Sequence, residues 1–176
     1  MQLNSLKDCR LTIGKYPSFS YDAYGGGGKA TLLTYQKSNL LHISFSSKTF
    51  SIPPLTSKTT RFLCLPLPPG FKIKMSMEHL DGTVDKISGD VLLKFESKFH
   101  FSIGAMVEFP PLIVKTLLKT GKVKGKIHEG EGLVLQNNGT TKLVGISKIP
   151  KTGNKILDTF LGLPNEALAE LQCEIK

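Results

Sequence analysis

From Val91 to Ile103 apolar and polar positions alternate. The odd positions read Val91, Leu93, Phe95, Ser97, Phe99, Phe101 and Ile103; the even positions read Leu92, Lys94, Glu96, Lys98, His100 and Ser102. Successive side chains of a strand point to opposite faces, so this period of two predicts a strand with one buried and one wet face. At roughly 3.3 Å per residue it would run about 40 Å, too long to stay flat. Ser97, small and polar within the apolar face, is the expected place for a bulge that bends it. Residues 71–80 alternate as well, with Phe71, Ile73, Met75, Met77 and His79 on one face and Lys72, Lys74, Ser76 and Glu78 on the other. Asp81-Gly82 then reads as a hairpin turn that pairs this strand with residues 83–87 or beyond.

The same pattern extends along the chain. Short strands are predicted at residues 11–14, 30–36, 40–46 and 59–65, with a turn at Ser38-Asn39. Pro53-Pro54 and the cluster Pro66, Pro68, Pro69, Gly70 interrupt them, because proline cannot fill a central ladder position. After Pro110-Pro111, residues 112–120 read as a strand with Ile113, Lys115 and Leu117 opposed to Val114, Thr116 and Leu118; a short helix is the other reading of that run. Lys122, Lys124, Lys126 and His128 alternate with Val123, Gly125 and Ile127 on a further strand. Asn137-Asn138-Gly139 is a hairpin turn between residues 133–136 and 140–149. Thr152-Gly153-Asn154 can cap a helix over residues 155–161 whose stripe is Ile156, Leu157, Phe160 and Leu161. Residues 165–176 are expected to make one helical turn and then a strand. The fold class is therefore mainly β: about eight to ten antiparallel strands in a curved sheet or partly open β-barrel, one domain over residues 1–176, with a short C-terminal helix.

Composition adds bounds. Three cysteines, Cys9, Cys64 and Cys173, are odd in number and have no CxxC spacing, so they read as reduced thiols; Cys64 and Cys173 lie in apolar runs and are expected to be buried. No apolar run approaches the ~20 residues that span a bilayer, and the N-terminus has no signal pattern, so a cytoplasmic location is expected. The formal charge is +9, yet only Arg10 and Arg61 among the 23 basic residues are arginine. Arginine dominates specific phosphate and base contacts, so nucleic acid is a weak expectation, and a lysine excess is also what an AT-rich genome writes.

Candidate chemistry is sparse. Gly25-Gly26-Gly27-Gly28 matches a dinucleotide fingerprint only as letters, since no apolar strand precedes it and strand formers follow; a hairpin loop is the plainer reading. His79 with Asp81 and Asp85, and His128 with Glu129 and Glu131, are candidate acid–base or metal groups that lack the spacing of a known site. His100 is expected on the wet face. No serine has G-x-S-x-G flanks. No metal and no cofactor is called for, and no catalytic residue is assigned.

The runs LVGISKIPKTGNKILDTFLGLPNEALAEL (residues 143–171) and SGDVLLKFESKFHFSIG (residues 88–104) resemble uncharacterised proteins of cyanobacteria and plastids. The resemblance covers part of the chain and implies a photosynthetic setting. It carries no activity and no site residues.

Three functional classes remain. The first is a non-catalytic binding protein whose curved sheet holds an apolar or amphipathic ligand, such as a lipid or pigment, against Phe95, Phe99, Phe101, Met75 and Met77, with lysines near its head group. The second is a basic module that docks on an anionic membrane, acidic protein or nucleic acid through Lys122, Lys124 and Lys126; the same row would equally serve to guard a strand edge. The third is an enzyme of unknown class. The sequence leaves oligomeric state open.

Overall fold

The computed structural model describes residues 1–33, 39–104 and 107–176. In chain order its strands begin with β1 (Gln2–Ser5), β2 (Cys9–Ile13), β3 (Phe19–Tyr21), β4 (Gly27–Leu32), β5 (Leu40–Phe45), β6 (Leu55–Thr56), β7 (Thr60–Phe62) and β8 (Leu65–Pro66). They continue with β9 (Phe71–Asp85), β10 (Val91–Ile103), β11 (Val107–Glu108), β12 (Leu112–Lys119), β13 (Gly121–Lys124), β14 (Glu129–Gly132), β15 (Thr140–Ile149) and β16 (Asn165–Ile175). One helix, α1 (Lys155–Leu161), precedes β16. Fourteen of these strands join one sheet, and β13 and β14 form a separate ribbon. Eight of the fourteen, in the order β1-β4-β5-β9-β10-β12-β15-β16, return on themselves where Leu3 pairs with Ile175. The fold is the antiparallel, partly open barrel with a short C-terminal helix that the alternation predicts. The expected strand total matches the ring and misses the short strands around it.

The ring closes at one end only. β16 pairs with β15 along its length, but its other edge is divided: residues 173–175 face β1, and residues 167–170 face β2. β9 is divided similarly, between β5 opposite residues 81–85 and β6 opposite residues 72–73. Between β12 and β15 the ladder reduces to Lys119 opposite Val144. Side-chain hydroxyls carry the rest of that seam, Thr116 Oγ1 donating to Ile146 O at 3.0 Å and Ser147 Oγ to Lys115 O at 2.8 Å. Two clusters fill the interior. Leu3, Ile43, Leu80, Val84, Leu93 and Leu143 pack the closed end. Ile13, Leu55, Ile73, Phe99, Leu112 and Ile149 pack the open end, with Leu157 and Leu161 of α1 laid over them.

The bulge lies at the expected level but on the neighbouring strand. Glu96 faces His79 and Ser97 faces Met77, which leaves Glu78 of β9 as the extra residue. It moves the inward set of β9 from Ile73 and Met77 to Leu80 and Val84, so His79 turns outward, contrary to its expected place on the apolar face. Ser97 is fully buried and donates to Ser76 O at 2.8 Å.

The Asp81-Gly82 turn is not formed. β9 runs straight through it, with Asp81 opposite Lys94 and Gly82 opposite Leu93. The chain reverses instead at residues 86–90, where Asp85 accepts from the backbone N–H groups of Ile87 (2.7 Å) and Ser88 (3.0 Å) and Gly89 has φ 74°. Gly82 is required for a different reason: a Cβ there would collide with the carbonyl oxygen of Leu92.

Other expectations shift too. Residues 59–65 form a tight hairpin instead of one strand, because Leu63 and Cys64 reverse the chain at φ 52° and 63°. Cys64 is therefore exposed, whereas Cys9 and Cys173 are buried. The glycine run does not precede a helix: β4 begins within it, and Gly27 lies so close to β1 that a Cβ would strike the carbonyl of Leu3. β16 is strand from Asn165 onward, with no helical turn. Helix α1 spans the predicted residues, with Asn154 Oδ1 accepting from Leu157 N at 3.0 Å and Gly162 closing it at φ 63°. The Asn137-Asn138-Gly139 turn forms where expected, although only Leu133 bridges to β15 before it. The Ser38-Asn39 turn and the end of the 30–36 strand fall largely outside the described residues.

Candidate ligand cavity

At the open end the strands part around a cavity of about 530 Å³. Its size falls within the roughly 300–1,000 Å³ common for small-molecule sites. One wall is β10 and β9, which contribute Phe99, Phe101 and Ile73 from their inward faces; Leu11 and Ile13 of β2 stand opposite. Leu157 and Leu161 enter from α1, whose i, i+4 spacing sets both on the buried side. Phe19 of β3 and Phe62 of β7, stacked with ring centroids 4.5 Å apart, complete a lid. Every described residue on the wall is Leu, Ile, Val, Phe, Pro or Ala. No hydrogen-bonding side chain and no charge reaches it from those residues, so the site selects by size and shape.

The mouth is also apolar. Leu63, Leu65, Ile156 and Phe160 line the cavity and are each more than half exposed. They come from the β7–β8 hairpin and from α1. The hairpin tip is held in a backbone region that a leucine rarely adopts, a strain of the kind that surrounding structure must maintain. Helix α1 is tied at its start by Asp158, which accepts from Thr152 Oγ1 and Thr152 N, both at 2.7 Å, and from Gly153 N at 3.2 Å. The Thr152 hydroxyl first, and these backbone donors with it, hold the Asp158 carboxyl below its ordinary pKa.

Of the predicted ligand residues, Phe99 and Phe101 line this cavity, and Phe71 meets Phe101 edge-on at 6.2 Å. Phe95 and Met75 line a second, smaller space of about 90 Å³ toward the closed end, which shares Leu11, Leu55, Phe99 and Val114 with the first. Met77 lines neither and packs in the closed-end core. The contributions of β2, the β7–β8 hairpin and α1 were not legible as site residues. The apolar stripe of α1 was visible, but nothing in it said that Leu157 and Leu161 would face a space instead of a filled core.

The basic row is broken up. Lys122 and Lys124 lie on β13 directly opposite Glu131 and Glu129 of β14, so carboxylates share their ribbon. Lys126 lies beyond β13, where the chain turns around the side chain of Glu166. That carboxylate, nearly buried at 8% exposure, accepts from the backbone N–H groups of Lys126 (2.7 Å), Ile127 (3.1 Å) and His128 (2.9 Å). Burial alone would raise its pKa, but the three donors outweigh it and hold the carboxyl low. Lys115 is paired with Glu96 at 2.7 Å.

The histidine groups do not converge. His79 pairs with Asp81 on the outer face, while Asp85 serves the turn at residues 86–90. His100 lies outside beside Ser76 Oγ at 3.2 Å. Among the described residues no group of three His, Cys, Asp or Glu side chains is placed to hold a metal ion, and no helix is long and apolar enough to cross a membrane. Compared with family models, curated proteins and solved structures, the chain matches none.

Proposed function

We propose that this chain binds an apolar or amphipathic small molecule in the open-end cavity, without acting on it chemically. The observation that carries the reading is a wall with no polar side chain among its described residues, around about 530 Å³ of space that opens at an apolar mouth. Such a wall offers nothing to a polar solute, which would lose its hydration without replacement. It suits a hydrocarbon or isoprenoid chain, with any head group left at the mouth. Transfer of about 16 methylenes contributes about 13 kcal/mol, against an association cost of about 5 kcal/mol at the low end of the accepted range. The expected affinity scale is therefore micromolar. Without a fixed polar anchor, discrimination between chains differing by one methylene is expected to be small.

The test is saturable binding of cis-parinaric acid, a fluorescent fatty acid, together with native mass spectrometry of protein isolated from its own host. Ala167 and Val114 both face the cavity. Ala167→Leu and Val114→Phe are each expected to weaken binding roughly tenfold, by about 1.4 kcal/mol, while the circular dichroism spectrum stays that of the parent. Two independent fillings guard against one failing to fold. The proposal is lost if the parent protein shows no saturable fluorescence gain, or if folded filled variants bind as the parent does.

A further inference from the structure

The cavity mouth has the composition of a membrane-contacting face. Leu63 and Leu65 on the β7–β8 hairpin, Ile103 at the end of β10, and Ile156 and Phe160 on α1 are all exposed, and all five line the same opening. Exposed apolar side chains scattered singly are ordinary, but a set that converges on one mouth from three separate elements is not. Helix α1 makes the point most directly. Leu157 and Leu161 are buried, while Ile156 and Phe160, the adjacent positions of the same apolar stripe, line the mouth and stay exposed. Its single carboxylate, Asp158, is turned back onto Thr152 and Gly153. An apolar stripe that the protein covers only in part leaves Ile156 and Phe160 for whatever meets the mouth.

Charge around the mouth narrows the partner. Arg61 and Lys58 flank the hairpin, and Lys151 and Lys155 flank the start of α1; all four are exposed. None has a carboxylate within ion-pair distance among the described residues, in contrast to Lys98, Lys115, Lys142 and Lys176, which are each paired. Asp158, in α1 itself, is the opposing charge beside this set, and Lys151 contributes, after the Thr152 hydroxyl, to holding its carboxyl low. Exposed basic residues beside exposed apolar ones fit a surface that is anionic outside and hydrocarbon inside.

We propose that the open end docks on an anionic lipid membrane, with the hairpin tip and α1 entering its interface, so that the apolar ligand passes between bilayer and cavity without crossing water. This rests on the cavity-binding reading and gives it a source and a destination. The chain would then be a carrier that loads and unloads at a membrane, held there by several exposed apolar side chains and long-range attraction and not by a spanning segment.

Cys64 at the hairpin tip is exposed and the other two cysteines are buried, so an environment-sensitive fluorophore can be attached there alone. Labelled protein is mixed with vesicles of phosphatidylcholine, with and without phosphatidylglycerol. The expected result is a blue shift with the anionic vesicles, weakening several-fold as the Debye length falls to about 8 Å at physiological salt. Replacing both Ile156 and Phe160 by serine should reduce vesicle affinity roughly tenfold or more, and Arg61→Gln with Lys155→Gln should remove most of the salt dependence. Binding of cis-parinaric acid in vesicle-free solution should stay within a few-fold in the Arg61→Gln, Lys155→Gln variant, whose residues do not line the cavity, whereas Ala167→Leu should weaken it roughly tenfold and still bind vesicles. That pattern separates a failed docking face from a failed cavity. No blue shift with anionic vesicles overturns the proposal, as does equal vesicle affinity in the serine variant. So does a protein dimer formed through this face, shown by sedimentation, that persists when vesicles are added.

Discussion

Glu166 ties the turn after β13 to β16. One carboxylate gathers three consecutive backbone N–H groups, and Gly125 leaves room for it, since a Cβ at that position would strike the Glu166 carboxylate itself. Glu166→Ala leaves three donors without their acceptor, at a cost of about 3 kcal/mol, which corresponds to a fall in Tm of about 6–12 °C for a chain of this size. Gly125→Ala should destabilise in the same direction by displacing the carboxylate. The pH dependence follows from the direction of the shift. A carboxyl held low in the folded state contributes fully above its ordinary value of about 4.3, and that contribution is lost as pH falls through the lowered folded value. Thermal melts of the parent should therefore fall below about pH 4.3, and Glu166→Ala should show a flatter acid limb. An equally steep limb in the variant would remove Glu166 from the account. Nothing in the sequence marked this residue: its three donors are about 40 positions away, and Glu166 falls in a stretch whose sequence reads as a helical turn.

At the scale of elements, alternation was a sound guide and turn letters were not. β10 keeps its period of two as far as Phe101, with Ile103 exposed at its end, and the faces of β12 are those read from its sequence. Asp81-Gly82 misled because the same dipeptide serves two geometries: a tight reversal, or a strand position where a neighbouring carbonyl leaves no room for Cβ. Only the second holds here. Gly82→Ala should accordingly cost about 3 kcal/mol through crowding against Leu92, read as a lower urea midpoint; an effect within about 0.5 kcal/mol would contradict the close approach. The opposite error occurred at Leu63-Cys64, where a reversal is made without a single residue that favours it. In the β7–β8 hairpin Phe62 pairs with Leu65 across the turn and stacks on Phe19 of β3, a contact with a distant strand that no local preference announces.

For the whole molecule, the barrel has two unlike ends. Cys173 sits in the closed-end core and Cys9 is fully buried, hydrogen-bonded to the carbonyls of Leu6 and Gln172; burial pushes their thiols up to about 12 and about 11. Cys64 stands at the opposite, open end. A thiol reagent such as DTNB is expected to modify one cysteine rapidly in the folded protein at pH 8 and the other two only on unfolding. Rapid reaction of two or three would show that the closed end opens readily. The aromatic and methionine face of β9 and β10 was legible as an interior surface, and Phe99 and Phe101 do reach the cavity. The cavity itself was not legible, because it exists only where β2, the β7–β8 hairpin and α1 stand off from that face. Spaces between distant segments leave no trace in the spacing of any one of them.

The meeting of β1 with β16 has a consequence for how the molecule assembles. β9, β10 and β12 are successive neighbours joined by short connections, so they can zip together early as a local meander. The ring, by contrast, is locked only when Leu3 finds Ile175, a search across nearly the whole chain whose loop-closure entropy must be overcome before any ladder bond rewards it. A ribosome-bound chain that lacks β16 has every other strand of the ring and no way to shut it. Until then β1 and β15 each present an unpaired edge, and the newly made protein depends on rapid completion, or on a chaperone, to keep those edges from another chain.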